Sequence, residues 1–316
     1  MSNPSSILIP TVTRLGAAAP LGNPVPYNPN NVAALASNLW TYEAALGDEF
    51  ITYDTASPNG INHVKWSNGY YPSSQWGTSG PIVGGLGAQV AANCQITSSP
   101  GNAATGTITG FTGASCLQLT ATSPGTDGYT YSTGGIVSNP TLSYSGGYEG
   151  IGVYPGSYIE TRVLLQGNSS GNENYYSVWL PSTNVSGELD LFENIGSPFQ
   201  SLCGHFHYDD YTDPNYATGS STPTPWYSPT DQGRWFIMGA IWGTNSLCTW
   251  FANGSSSAMG SPTGGSGDMN PLPTGGESGP FYWILSIMPV NSEYTANYIQ
   301  IPGLMLVDYV RVFSPA

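Results

Sequence analysis

Along several short stretches of the chain, apolar and polar side chains alternate with a period of two. This is the spacing of strands whose two faces meet different surroundings. In one of them Ile159, Val163 and Leu165 interleave with Glu160, Arg162 and Leu164. The run Trp-Phe-Ile-Met-Gly-Ala-Ile-Trp at 235–242 reads as a longer apolar strand, and Trp179 points away from the face shared by Val178 and Leu180. Gly (41 residues) and Pro (26) punctuate these stretches, as expected of many short strands joined by turns. The pattern predicts an all-β chain of stacked sheets, without an internal repeat. Three departures stand out. Leu35, Leu39, Tyr42 and Leu46 recur at helical spacing and predict a short helix before the first strand. Residues 1–30, rich in Pro, Ala, Gly and Asn, predict an extended arm ahead of one domain over 31–316, and the Gly/Ser/Pro/Thr-dense 254–279 predicts a surface loop.

The most informative strand is Gly187-Glu188-Leu189-Asp190-Leu191-Phe192-Glu193-Asn194, where three carboxylates sit among apolar residues. Glu188 and Asp190, two apart, share a face. Glu193 lies at an odd offset from Glu188, so a regular strand would turn it to the other side with Leu189 and Leu191. An extra residue in a β-bulge is needed to bring it back, and bulges gather beside active sites. Paired carboxylates suit the cleavage of a glycosidic bond, in which one protonates the departing oxygen and the other attacks the sugar carbon or activates water. A calcium loop would instead separate its oxygen ligands with Gly and Asn in a flexible turn. Three acids so close cannot all ionise cheaply, so one should hold a proton near neutral pH.

Charge narrows the partners. Only 8% of residues are charged, and 19 acids face five basic residues, Arg14, Lys65, Arg162, Arg234 and Arg311, for a formal net charge of −14. Nucleic-acid binding is excluded by the lack of any Lys/Arg cluster to neutralise phosphates. A polyanionic glycan would likewise meet a like-charged protein, which favours a neutral polymer. The scarcity of basic groups also limits positive charge in acid, so the fold is expected to tolerate acidic surroundings. Cys94, Cys116, Cys203 and Cys248 form no Cys-x-x-Cys pair, which argues against zinc and leaves disulfides and buried free thiols both open. His205 and His207, two apart, share a face, but no third metal ligand accompanies them. The first ten residues lack the charged and apolar regions of a signal peptide, and no window approaches the roughly 20 apolar residues that span a bilayer.

The run Glu188-Leu-Asp190-Leu-Phe-Glu193 resembles the Glu-x-Asp-x-x-Glu signature of glycoside hydrolase family 16, in the bulged form of its laminarinase-like (endo-β-1,3-glucanase) branch. Other segments resemble that family in order. They are Gly47-Asp48-Glu49-Phe50 with Lys65-Trp66, residues 131–138, Gly156-Ser-Tyr-Ile-Glu160-Thr-Arg162, Val178-Trp179-Leu180-Pro181, Gly204-His205-Phe206-His207 and Val307-Asp308-Tyr309-Val310-Arg311-Val312, together spanning roughly 45–314. The resemblance implies a concanavalin A-like (jelly-roll) sandwich of two antiparallel sheets with an open cleft on the concave face. It implies Glu188 as nucleophile, Glu193 as acid and then base, and Asp190 as their electrostatic and hydrogen-bonding support. It further implies substrate contacts from Trp179, His207, Asn194 and Trp242, although core packing is the competing reading for Trp179. Trp66, Trp76 and Trp226 are weaker candidates for stacking on a sugar ring. No cofactor is required, but the family often places a calcium ion near the position of Asp308, which one carboxylate cannot hold alone. The expected protein is an extracellular endo-acting, retaining hydrolase and a monomer. Its first substrate is β-1,3-glucan, then mixed-linkage β-1,3-1,4-glucan, then a neutral galactan. The segment Ser182-Thr-Asn-Val-Ser-Gly187 replaces an aromatic approach usual in the family, so the subsites are expected to differ. A carbohydrate-binding or virion fibre protein without turnover is the other class.

Overall fold

A computed structural model describes residues 40–57, 59–62, 64–68, 87–89, 91–102, 106–107, 115–125, 131–138, 153, 156–166, 175–181, 187–193, 203–208, 235–242, 248–252, 281–288 and 303–315. The predicted arm at 1–30 and loop at 254–279 lie outside them. The first strands are β1 (Trp40–Tyr42), β2 (Ser67–Asn68), β3 (Gly87–Gln89), β4 (Cys94–Thr97), β5 (Gly101–Asn102) and β6 (Gly106–Thr107). Then come β7 (Cys116–Thr122), β8 (Tyr131–Thr133), β9 (Gly135–Val137), β10 (Tyr158–Gln166), β11 (Tyr175–Pro181) and β12 (Gly187–Glu193). The last are β13 (Cys203–Tyr208), β14 (Trp235–Trp242), β15 (Cys248–Ala252), β16 (Ile284–Met288) and β17 (Gly303–Pro315).

Among the described residues these strands form two main sheets. The nine-stranded sheet runs β15-β14-β10-β17-β7-β8-β3, with β1 also on β17 and β4 on β7. The six-stranded sheet runs β13-β12-β11-β16-β9-β2. Most pairings are antiparallel; β3 with β8 is parallel. The predicted alternation on β10 is what joins the layers. Ile159, Val163 and Leu165 enter the core with Phe236 and Met238 of β14, and meet Val178, Leu180 and Leu285 from the other sheet. Phe192 of β12 meets Phe236 of β14 edge-on, ring centres 5.9 Å apart.

The predicted helix over 35–46 is corrected in its described part. Trp40–Tyr42 is a strand in register with Phe313–Pro315, and only Ala44–Leu46 coils, as a single 3-10 turn. Sheet pairing to β17 outweighs helical spacing here, and Trp40 packs on Tyr158 with Phe313 instead of forming a helical stripe.

The Asp48-Glu49-Phe50 segment is a structural clasp. Asp48 exchanges backbone hydrogen bonds with Val310, and its carboxylate accepts from Phe50 N (2.9 Å) and Trp66 Nε1 (2.8 Å). Phe50 takes φ 49°, rare for a bulky side chain, and is held there by core burial and by Ser115 Oγ donating to its carbonyl. Cys94 and Cys116 are buried. Gly135 N–H donates to Cys94 Sγ at 3.1 Å, and burial pushes that thiol up to about 12.

Candidate active site

The bulge required by the sequence is present in β12, and both neighbouring strands define it. On β11, Glu188 pairs with Pro181, Asp190 with Trp179 and Glu193 with Ser177. These partners are alternate residues of a strand that runs in regular register against β16. Alternate residues share a face, so positions 188, 190 and 193 do as well. On β13 the partners are His207, His205 and Cys203, again alternate residues. The slip falls between Asp190 and Glu193, where Phe192 pairs with Val178 and Leu191 is the extra residue. Leu189, Leu191 and Phe192 all enter the core. Burying an apolar side chain of this size is worth about 1.5–3 kcal/mol. Two consecutive inward side chains therefore fix the bulge, and the bulge returns Glu193 to the face of the other acids.

Three rows of residues cross the outward face of the six-stranded sheet. The first is His207, Glu188 and Pro181. The second is His205, Asp190, Trp179, Ile284 and Val137, and the third is Cys203, Glu193, Ser177, Ser286 and Gly135. Directly opposed residues in such pairs have Cβ atoms about 4.5–5.5 Å apart. Asp190 is fully buried between the two glutamate positions, and Glu193 keeps 7% of its surface. Burial lowers the local dielectric, which strengthens each charge's influence on its neighbours.

The structure groups some of the expected substrate contacts and separates others. His207 stands in register with Glu188. Trp179 stands opposite Asp190, but only 5% of it is exposed, and it packs against Val137, Tyr282 and Ile284. That burial favours its packing role over stacking on sugar. Trp242 is on β14, in register with Cys248 of β15, and so belongs to the opposite layer from the acids. Trp66 is buried on Asp48. Asn194, Trp76 and Trp226 lie outside the described residues. Sequence reasoning gave His205 and His207 a shared face but missed Ser177 and Ser286 as row members. Period two would have put Ser177 beside Trp179, but which strands lie alongside cannot be read from one segment.

No family model matches the chain. In sequence, 92 residues are 28% identical to beta-agarase B of Zobellia galactanivorans, and the match spans 28% of this chain and a quarter (25%) of that relative's length. In structure, the catalytic domain of an endo-1,3-beta-glucanase (laminarinase) from Thermotoga petrophila RKU-1 superposes with a TM-score of 0.58 at 17% identity, over 88% of this chain and 99% of that one. The endo-beta-1,3-glucanase of Pyrococcus furiosus gives 0.58 at 19% identity, over 88% and 96%. SCLam, a non-specific endo-beta-1,3(4)-glucanase from family GH16, gives 0.57 at 17% identity, over 96% and 98%. The chain has the glycoside hydrolase family 16 fold. In that fold the acid rows lie on the six-stranded sheet, and the nine-stranded sheet backs it across the core.

The far face of the nine-stranded sheet carries its own charges. Asp308, where the family 16 resemblance suggested calcium, is buried, and its Oδ2 accepts from Arg162 Nη1 at 2.6 Å. The Arg162 guanidinium in turn stacks on Trp235 at 4.7 Å. Asp308 thus already faces a cation, and the described residues contain no group of three His, Cys, Asp or Glu able to hold a metal. Nearby, Arg311 grips Glu49 with Nε at 2.7 Å and Nη2 at 2.8 Å and stacks on Tyr309. Its Nη1 lies 3.8 Å from Glu160 Oε1, while Tyr158 donates to Glu160 Oε2 at 3.1 Å. Burial pushes the Glu160 carboxyl up to about 7, against the opposing pull of Arg311 and the tyrosine hydroxyls.

Proposed function

We propose that the protein is an endo-acting, retaining glycoside hydrolase of a neutral β-glucan, β-1,3-linked or mixed β-1,3-1,4-linked. The observation that carries this reading is the bulge of β12, which aligns Glu188, Asp190 and Glu193 on one face of a family 16 fold. Nothing about a packed strand would otherwise favour three acids among leucines and a phenylalanine. In the first step Glu188 attacks the anomeric carbon while Glu193 gives its proton to the departing oxygen, leaving a glycosyl-enzyme ester. In the second step ionised Glu193 takes a proton from water, the water oxygen attacks the same carbon, and Glu188 leaves as carboxylate. Asp190, buried between them, orients and tunes Glu188. The net charge of −14 supports a neutral polymer. A polymer too large to cross a membrane would be cleaved outside the cell, so we place the activity there. The protein would act as a monomer without a cofactor.

A neutral galactan is the second reading, supported by the partial match to the Zobellia beta-agarase. Reducing-end release from laminarin, mixed-linkage glucan, agarose and an acidic glycan, beside Glu188→Gln, tests both readings. Release from laminarin or mixed-linkage glucan, abolished in the variant, is expected. Release from agarose alone would move the substrate to galactan. A folded protein that retains a polymer without cutting it would be a binding protein, and a fully active Glu188→Gln would remove the nucleophile assignment.

A further inference from the structure

The row that holds Glu193 also holds a buried pair of hydroxyls. Ser177 of β11 stands directly opposite Glu193, and Ser286 of β16 stands directly opposite Ser177 on its other side. Their Oγ atoms are 2.8 Å apart, and neither residue has any exposed surface. Either oxygen can be the donor in that contact. Each hydroxyl has one proton and two lone pairs, so the pair uses one proton internally and can direct the other outward from whichever end is not donating within it. The next residue of the row is a carboxyl whose role in the proposed mechanism is to alternate between protonated and ionised.

We propose that Ser177 and Ser286 form a reversible hydroxyl relay that positions Glu193 and follows its change of charge. When Glu193 holds its proton, the carboxyl donates to Ser177 and Ser177 donates to Ser286. When Glu193 has given the proton to the leaving group, Ser286 donates to Ser177 and Ser177 donates to the carboxylate. Only the hydroxyl rotors turn; no proton leaves its oxygen in the relay. A hydrogen bond to an ionised acceptor is roughly twice as strong as one between neutral groups, so the second state gains more. The relay therefore favours the ionised form and prevents Glu193 from holding its proton too tightly. Ser177 and Ser286 are positioning residues that act through Glu193, and the inference rests on Glu193 being the acid/base of a glycosidase.

The test uses Ser177→Ala, Ser286→Ala and Ser177→Thr in the full chain, with two readouts. The first is the titration of the Glu193 carboxyl, followed by carbon NMR in glutamate-labelled protein and assigned by the signal lost in Glu193→Gln. It needs no substrate. Ser177→Ala should raise the midpoint by about one pH unit, Ser286→Ala by less, and Ser177→Thr should restore it. The second readout is the pH dependence of kcat/KM on laminarin and agarose, whose alkaline limb should move upward with the titration. If wild type cleaves a polymer and neither titration nor limb moves in folded Ser177→Ala, the relay is overturned and the enzyme reading stands. If the titration moves while wild type cleaves nothing, the hydroxyl contact to Glu193 stands and the enzyme reading fails.

Discussion

The Glu160→Gln substitution isolates the energetic consequence of burying a carboxyl beside a shared guanidinium. Glu160 has no exposed surface, and Arg311 is committed first to Glu49, whose two contacts are 2.7 and 2.8 Å against 3.8 Å to Glu160. Burial therefore wins, and the carboxyl moves from 4.5 to about 7. At about 1.4 kcal/mol per pH unit, ionising Glu160 in the folded chain costs on the order of 3 kcal/mol. The folded chain binds this proton more tightly than the unfolded chain. Stability from this group is therefore fully present below about pH 4.5 and is lost as pH rises through about 7. Glutamine keeps the neutral shape at every pH. Urea unfolding followed by tryptophan fluorescence should give near-equal stabilities at pH 4.5, with the variant gaining through neutrality and leading by up to about 3 kcal/mol at pH 8. A gap that does not change with pH, or a variant weaker than wild type at pH 8, would show that Glu160 serves as the ionised partner of Arg311.

Two further substitutions probe the same sheet. Arg162→Met leaves Asp308 buried without its 2.6 Å partner and should cost about 3–5 kcal/mol in urea unfolding at pH 7; a loss below about 1 kcal/mol would mean that the carboxylate finds another cation. Gly47→Ala puts a methyl group 2.6 Å from the Val310 carbonyl oxygen, in the backbone bridge that Asp48 makes with Val310. Calorimetry should record a lower Tm, equivalent to about 1–3 kcal/mol, and an unchanged Tm would refute the close approach.

Local pattern carried a large part of the structure. Period two identified β10 and β12, an unbroken apolar run identified β14, and the odd spacing of Glu193 demanded the bulge that β11 and β13 both register. In its described part, 40–46, the predicted helix gives way because Trp40 and Tyr42 answer to Pro315 and Phe313, partners that lie far along the sequence. The same reason hid the polar contacts. Glu49 meets Arg311 across 262 positions, Arg162 meets Asp308 across 146, and Ser177 meets Ser286 across 109. A single segment records which residues share a face, but not what stands beside them. Trp179 was balanced between core and cleft for that reason, and only the packing of Val137, Tyr282 and Ile284 around it weighs toward the core.

Strand β17 is among the last described segments of the sequence, yet it is central to the nine-stranded sheet. It lies between β10 on one edge and β7, Asp48 and β1 on the other. During synthesis those earlier strands emerge without their shared partner, and their open edges and apolar faces wait until residues 303–315 have cleared the ribosome. Closing contacts between such distant segments is slow, and strands left unpaired meanwhile are prone to join other chains. Slowing translation would lengthen that exposure instead of helping the chain fold. The yield of native protein should therefore depend on how well nascent chains are shielded from one another.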